Sequence, residues 1–395
     1  MVGHRNSGLR YSVNSDTFER FDPSRVPSPC FVIDQAAVER NLQVLADVQA
    51  RSGAKVLAAL KAFSFPALGP LTGQYLSGTC SSGVHEALLA AEHYPGEVHV
   101  FSAAFKACDV DQLVKVADHF VFNSPAQLQR FAPQLQSHGI PFGLRVNPEH
   151  SEGAVELYDP CAPCSRLGTP ISELADVDLS GISGLHFHTL CEQGFEPLAR
   201  TLDAFEERFG HLLADLEWVN FGGGHHITAQ GYDIDALIQR IQSFSARHQV
   251  QVYLEPGEAI AIRSGVLVAE VLDLPRNGRD LAIVDTSATC HMPDTLEMPY
   301  RADIADAGLP DEKPYTYRLG GQTCLAGDVI GDYSFDQPLQ VGQRLMFDDM
   351  AHYTLVKTNT FNGIPLPALA LWDSRTDELR LVREFGYQDF ASRLG

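Results

Sequence analysis

Basic side chains are scarce in this 395-residue chain: 29 lysines and arginines stand against 50 aspartates and glutamates, a formal net charge of −21. A surface so short of positive charge is unsuited to nucleic-acid backbones and anionic membranes, and suited to attracting cationic small molecules. Long apolar runs are missing as well, so no segment reads as a membrane span. The first residues, MVGHRNSGLRYSVNSD, lack the apolar centre of a secretion signal. Without one, the eight scattered cysteines read as free thiols rather than a disulfide framework, and the expected compartment is the cytoplasm. Paired metal-binding motifs are absent too. Cys161 and Cys164 form one CxxC, but no second CxxC or spaced histidine pair follows, so it reads as a plain loop.

What is present is the material of a globular core, with 45% hydrophobic and 20% charged residues. Residues 1–25 are polar and close on Pro23, an arm rather than a core element. From 26 to 260, apolar runs alternate with helical patterns. The segment 35–49 carries Val38, Leu42, Leu45 and Val48 at helical spacing. Eight runs then read as strands: VLAALK, YLSGTC, VHVFSAA, HFVFNSP, FGLRVNP, GISGLHFHTL, LEWVNFGGG and VQVYLEPGE. Eight strands with crossover helices close into a (β/α)8 TIM barrel, and the length of the region suits one. From 261 to 395 the pattern changes. GVLVAEVLDL, LAIVDTSAT, YTYRLGG, QRLMFDD, HYTLVKT and LALWDS, separated by turn residues, predict antiparallel strands of a mostly β C-terminal domain, which N-terminal residues can complete.

Barrel enzymes carry their chemistry on the C-terminal ends of the strands. Lys61 ends the first run, alone among Val56, Leu57, Ala58, Ala59, Leu60, Ala62 and Phe63. A lysine without an acidic neighbour in such a run either reaches out to water or is held in a pocket for chemistry. The other strand ends supply Ser81 and Ser82, Asn123, Arg145 and Asn147, His188, Gly222-Gly223-Gly224 and Glu255. Three glycines between a late strand and a helix allow backbone N–H groups to approach a phosphate; alone they are only a tight turn. Glu255 either is a strand-end surface acid or holds a proton on a heteroaromatic nitrogen. Lysine, carboxylate, glycine cradle and His188 together match what pyridoxal 5'-phosphate requires. A zinc site on His186 and His188 with Glu255 and His225 or His226, as in a metal-dependent barrel hydrolase, competes with it. That reading leaves the triple glycine unused, and no metal is assigned.

With these motifs in hand, the chain resembles the fold-type III pyridoxal-phosphate decarboxylases, which include ornithine, diaminopimelate and carboxynorspermidine decarboxylases. The resemblance covers nearly everything after the N-terminal arm. It implies that Lys61 in AALKAF binds the cofactor, His188 in HFHTLCE stacks on its ring, NFGGG holds its phosphate, and Glu255 in EPGE faces its nitrogen. It further implies that Cys324 of GQTCLAGD reaches into a partner subunit's site as a proton donor, and that Tyr353 of MAHYTLVKTNTFNG contacts the phosphate. A homodimer with shared active sites follows from the same resemblance. Departures point to the substrate. Glu258 stands where many members have the arginine of EPGR, and Glu297 where diaminopimelate decarboxylases usually carry an arginine. Reversing those charges disfavours a distal carboxylate and favours a distal ammonium. The segments HFHTLCE, EPGEA and DTSATCHMPDTLEMPYR are most similar to the carboxynorspermidine branch. A carboxylated polyamine is therefore the implied substrate, with Glu258, Asp294, Glu297 and Asp328 as its candidate partners. Diaminopimelate or ornithine decarboxylation fits the fold but not these glutamates. A non-catalytic homologue that binds a partner protein has no need of Lys61, Glu255 and Cys324.

Overall fold

The computed structural model describes residues 18–153 and 155–395. These fall into two units, one holding the described residues up to Val38 together with Ala261–Gly395, the other Glu39–Ile260. The first strand, β1 (Cys30–Asp34), is buried at every position and runs directly into helix α1 (Gln35–Ser52). The Asp34 carboxylate makes the junction, accepting the backbone N–H groups of Ala36 and Ala37 at 3.1 Å each. An acid in this place satisfies donors that a helix start leaves open. Val38, Leu42, Leu45 and Val48 are all fully buried, as their spacing predicts.

The barrel follows in chain order: β2 (Lys55–Ala59), α2 (Gly69–Tyr75), β3 (Gly78–Ser81), α3 (Val84–His93), β4 (Glu97–Phe101), α4 (Ala107–Leu113), β5 (His119–Phe122), α5 (Pro125–Ser137), β6 (Phe142–Arg145), β7 (Gly184–His186), α6 (Phe195–Phe209), β8 (Trp218–Asn220), α7 (Ile234–His248) and β9 (Gln251–Leu254). Each strand pairs in parallel with the next, and β2 pairs with β9 through Lys55 opposite Tyr253 and Val56 opposite Leu254, which closes the ring. All eight expected strands are present and shorter than the apolar runs that marked them. Leu57, Val121, Trp218 and Tyr253 pack together within the barrel. Helix starts use local chemistry: Ser124 Oγ caps α5 ahead of Pro125, and Asp233 caps α7.

After the short α8 (Glu258–Ala261), the second unit adds β10 (Gly265–Asp273), β11 (Arg276–Asn277), β12 (Arg279–Val284), β13 (Tyr315–Gly320), β14 (Val329–Phe335), β15 (Arg344–Phe347), β16 (Ala368–Asp373) and β17 (Glu378–Arg383). Their order is β14-β13-β12-β10-β1-β16-β17, with β15 on β10 and β11 on β12. Three expectations need correction. The sheet is not wholly antiparallel, since β1 pairs in parallel with β16, and β12 with β13. HYTLVKT is not a strand but a succession of turns. Tyr353 sits there at φ +49, outside the extended region, and its carbonyl accepts the N–H of Lys357 at 3.0 Å. The arm is also not wholly peripheral. Its first seventeen residues lie outside the described chain, but Phe18 and Phe21 are buried against Trp372, with ring centroids 5.3 and 5.1 Å away.

Candidate active site

The apolar run at the first barrel strand is long because its last residues form a pinned turn. Strand β2 ends at Ala59, whose N–H donates to Pro256 O at 3.0 Å; Leu60 N–H donates to Cys80 O at 3.1 Å. Ala62 and Phe63 both donate back to Ala59 O. Lys61 is therefore fixed on the mouth side by backbone bonds to the following strand and to the loop after the last one. It is part-buried, and its Nζ turns to His188 Nε2 at 3.3 Å. Burial pushes its pKa down, Arg145 acts in the same direction, and Cys80, Glu255 and Cys191 only partly oppose them. The mouth favours a free amine, the form that attacks a carbonyl.

His188, two residues beyond β7, supports that state. Gly223 N–H donates to His188 Nδ1 at 2.9 Å, so in the neutral ring the proton sits on Nε2. His188 Nε2 faces Lys61 Nζ at 3.3 Å, an arrangement that suits an imidazole N–H and an uncharged amine. Burial, Lys61 and Arg145 hold the His188 pKa well below its ordinary value. The Arg145 guanidinium donates to the His188 carbonyl at 2.7 Å and lies 4.6 Å from the Phe101 ring centroid. It locks the backbone that carries the histidine.

Glu255 follows β9 and is 8% exposed. Asn220 Nδ2 donates to its Oε1 at 2.7 Å, and His186 Nε2 to its Oε2 at 3.3 Å. Burial pushes the carboxyl up, but His186, Lys61 and Asn220 outweigh it and hold the pKa down to about 2. A buried carboxylate fixed in its ionised form can keep a facing heteroaromatic nitrogen protonated. The glycine loop is tied to the same group: Glu255 N–H donates to Gly222 O, and Gly222 N–H to Asn220 Oδ1, both at 2.8 Å. Gly222 and Gly224 take φ of +68 and +83. A Cβ on Gly223 would stand 2.0 Å from Glu255 O. The loop is thus bare by steric necessity, and the mouth presents an amine, a permanent carboxylate and a side-chain-free backbone. These residues fit pyridoxal 5'-phosphate.

Lys61, His188, Gly222, Gly223, Gly224 and Glu255 are brought together as their positions in the sequence implied. Asn220, His186 and Arg145 complete the arrangement: Arg145 stands at a strand end as its position implied, His186 serves Glu255 rather than a zinc ion, and nothing in its local sequence marks Asn220. The zinc reading finds little geometric support: His186 is engaged with Glu255, His225 Nδ1 pairs with Tyr232 OH at 2.7 Å, and His226 Nε2 pairs with Glu258 at 2.7 Å. Glu258 is accordingly half of a part-buried hydrogen-bonded pair with His226 rather than a loose acid. Cys161 and Cys164 are free thiols.

The remaining candidates lie in the sheet unit. Lys357 binds Asp294 and also Glu297, the latter at 2.9 Å, and its ammonium lies 5.8 Å from the Tyr353 ring centroid. Asp328 is buried and accepts Ser287 Oγ at 3.0 and 2.9 Å and Thr323 Oγ1 at 2.7 Å, which anchors the loop bearing Cys324. The Cys324 side is exposed, and its N–H donates to Asn362 Oδ1 at 2.8 Å. Among the described residues no helix is long and apolar enough to cross a membrane.

Comparison with known proteins places this geometry. Residues 30–351 match the family described as pyridoxal-dependent decarboxylase, C-terminal sheet domain. The chain is 43% identical over 380 residues to the carboxynorspermidine/carboxyspermidine decarboxylase of Campylobacter jejuni, covering 93% of this chain and 99% of that one. It is 44% identical over 374 residues to the carboxyaminopropylagmatine decarboxylase of Synechocystis sp., covering 94% and 96%. The crystal structure of the Campylobacter jejuni carboxynorspermidine decarboxylase complexed with norspermidine superposes with a TM-score of 0.87 at 42% identity, over 93% of this chain and all 100% of that one. Diaminopimelate decarboxylase from Helicobacter pylori, complexed with L-lysine, shares the fold with a TM-score of 0.78 at 19% identity, over 94% and 97% of the two chains.

Proposed function

The chain belongs to the pyridoxal-dependent decarboxylases, and within that family we propose that it removes the α-carboxylate of carboxynorspermidine and carboxyspermidine to give norspermidine and spermidine. The observation that carries this reading is the 43% identity to the Campylobacter jejuni enzyme over nearly the whole of both chains, with Lys61, His188 and Glu255 converging at one mouth. When bound, pyridoxal phosphate supplies an electron sink for the pair left as carbon dioxide departs. Lys61 would hold it covalently, the 222–224 backbone would take the phosphate with Tyr353, and His188 would pack on the ring. Glu255 keeps its negative charge beside the ring nitrogen, with Asn220 and His186 fixing both oxygens. Lys61, its pKa lowered by burial, gains nucleophilic character and can accept a proton. Cys324, offered by a second subunit of a homodimer, would return a proton to the α-carbon.

Substrate choice falls to the acids. Glu258, Asp294, Glu297 and Asp328 are the candidates for the distal ammonium groups, and the net charge of −21 draws such cations in. Lys357 already neutralises Asp294 and Glu297, so those two act on substrate only if its ammonium is displaced or shared. A second reading is favoured by the 44% identity to the Synechocystis enzyme: a carboxylated aminopropylagmatine, whose tail ends in a guanidinium. The test is carbon dioxide release from purified holoenzyme offered carboxynorspermidine, carboxyspermidine, carboxyaminopropylagmatine, diaminopimelate and ornithine. Preferred turnover of the first two is expected. Preference for the guanidino substrate establishes the second reading, and preference for diaminopimelate or ornithine removes both.

A further inference from the structure

The N-terminal end of the barrel, away from the mouth, encloses a polar cluster that decarboxylation does not use. Glu97 and His99 stand two apart on β4 and share a face. His119 opens β5 and is paired with His99 in the parallel register. Their imidazole rings stack with centroids 4.1 Å apart, walled by Tyr253 at 4.8 Å from His99 and Trp218 at 5.6 Å from His119. Glu97 Oε2 accepts from His99 Nε2 at 2.9 Å and from Tyr253 OH at 3.2 Å, while Oε1 takes the Lys55 ammonium. One donor atom from each of Glu97, His99 and His119 lies within 4.8 Å of the others, the sole such grouping of three among the described residues.

Two features set this apart from an ordinary buried network. His99 is 2% exposed, and its Nδ1 is buried with no hydrogen-bond partner; His119 Nδ1 is in the same condition. Buried ring nitrogens are normally paired, so two orphans side by side mark a missing partner. The cluster is also reachable: the Lys55 and Glu97 side chains are 39% and 27% exposed. We propose that the barrel base is a binding site for a zinc-class divalent ion, with Glu97, His99 and His119 as protein ligands and water in the fourth position. Two imidazoles and a carboxylate suit Zn²⁺ and exclude Mg²⁺ and Ca²⁺, which require a shell of oxygens. Lys55 is then the resident competitor. Its flexible stem lets the ammonium swing to solvent as the ion takes the carboxylate, and the bound ion ties β4 to β5.

The test is calorimetric titration of chelator-treated holoenzyme with Zn²⁺, with Mg²⁺ as control. One Zn²⁺ per chain is expected, with none detected for Mg²⁺ and a rise in Tm in the presence of Zn²⁺. His99→Gln and His119→Gln should abolish that binding while retaining decarboxylase turnover, which also shows that they fold. Lys55→Met should tighten Zn²⁺ about threefold, the scale of one half-exposed ion pair released. A purely structural cluster predicts no gain from removing Lys55. Zinc binding that survives both histidine substitutions, no binding by the wild type, or unchanged or weaker binding by Lys55→Met would overturn the assignment.

Discussion

At the scale of single residues, the mouth works by withholding water from three groups and settling the charge on each. Burial lowers the Lys61 pKa, His188 is kept neutral with its proton on Nε2, and Glu255 is kept ionised by partners on both oxygens. The Glu255→Gln variant tests the last of these. It preserves shape and the Asn220 contact but removes the charge, so kcat at full cofactor occupancy should fall by about 100-fold or more, the scale of a lost acid–base partner. A fall in cofactor affinity alone, with kcat intact, would assign Glu255 to binding only. Lys61 and Glu255 were legible because each is a charge at the end of an apolar strand, where burial alone demands a reason. Asn220 was not, and Arg145 and His186 showed only as a strand-end residue and a zinc candidate, because the partners lie on other strands: Asn220 and His186 meet Glu255 35 and 69 residues away in the chain.

Elements carry the next layer. The 222–224 loop is glycine because neighbouring carbonyls crowd it, with Leu190 O at 1.9 Å from a Cβ on Gly224 and Glu255 O at 2.0 Å from one on Gly223. Gly223→Ala must push the loop away from β9 and from His188, whose Nδ1 it bonds. We expect cofactor affinity to drop at least tenfold with little change in far-UV circular dichroism; unchanged affinity would show that the loop does not hold the cofactor. The barrel strands were readable from apolar alternation with helices, since a strand buried on both faces has to be apolar throughout. The sheet unit was less so. HYTLVKT has the β-branched and aromatic content of a strand, yet Tyr353 at φ +49 and the following turns show that local geometry overrode propensity. N-terminal residues were expected to complete the sheet, but strand β1 itself reads with the 26–260 region because its partners, β10 and β16, are more than two hundred residues further on.

For the molecule as a whole, the sequence disclosed the barrel and, through the family resemblance, the decarboxylase class, but not which N-terminal residues the sheet unit uses. Phe18 and Phe21 look like isolated aromatics in a polar arm until Trp372 supplies the surface they cover. Burial also sets the acid limit of stability. It pushes His225 down to about 3 and His291 down to about 4, while Glu255 stands at about 2. Below the ordinary histidine range of about 6.5 the unfolded chain takes up protons that these folded groups refuse, so stability declines as pH falls. Each histidine contributes up to about 1.4 kcal/mol per pH unit in its window, and the carboxylate adds to the loss below about 4.5. Thermal melts should therefore show Tm nearly flat between pH 8 and about 6.5 and falling steadily towards pH 4. A Tm independent of pH over that interval would mean these groups are not buried in the neutral and ionised states described.

The central claim is that the Lys61 amine carries the cofactor, and borohydride reduction followed by peptide mass spectrometry addresses it directly. The expected result is a pyridoxyl group on Lys61 alone, together with loss of visible absorbance and turnover in Lys61→Ala. An unmodified Lys61 peptide from active enzyme, or wild-type turnover by the variant, would contradict the account.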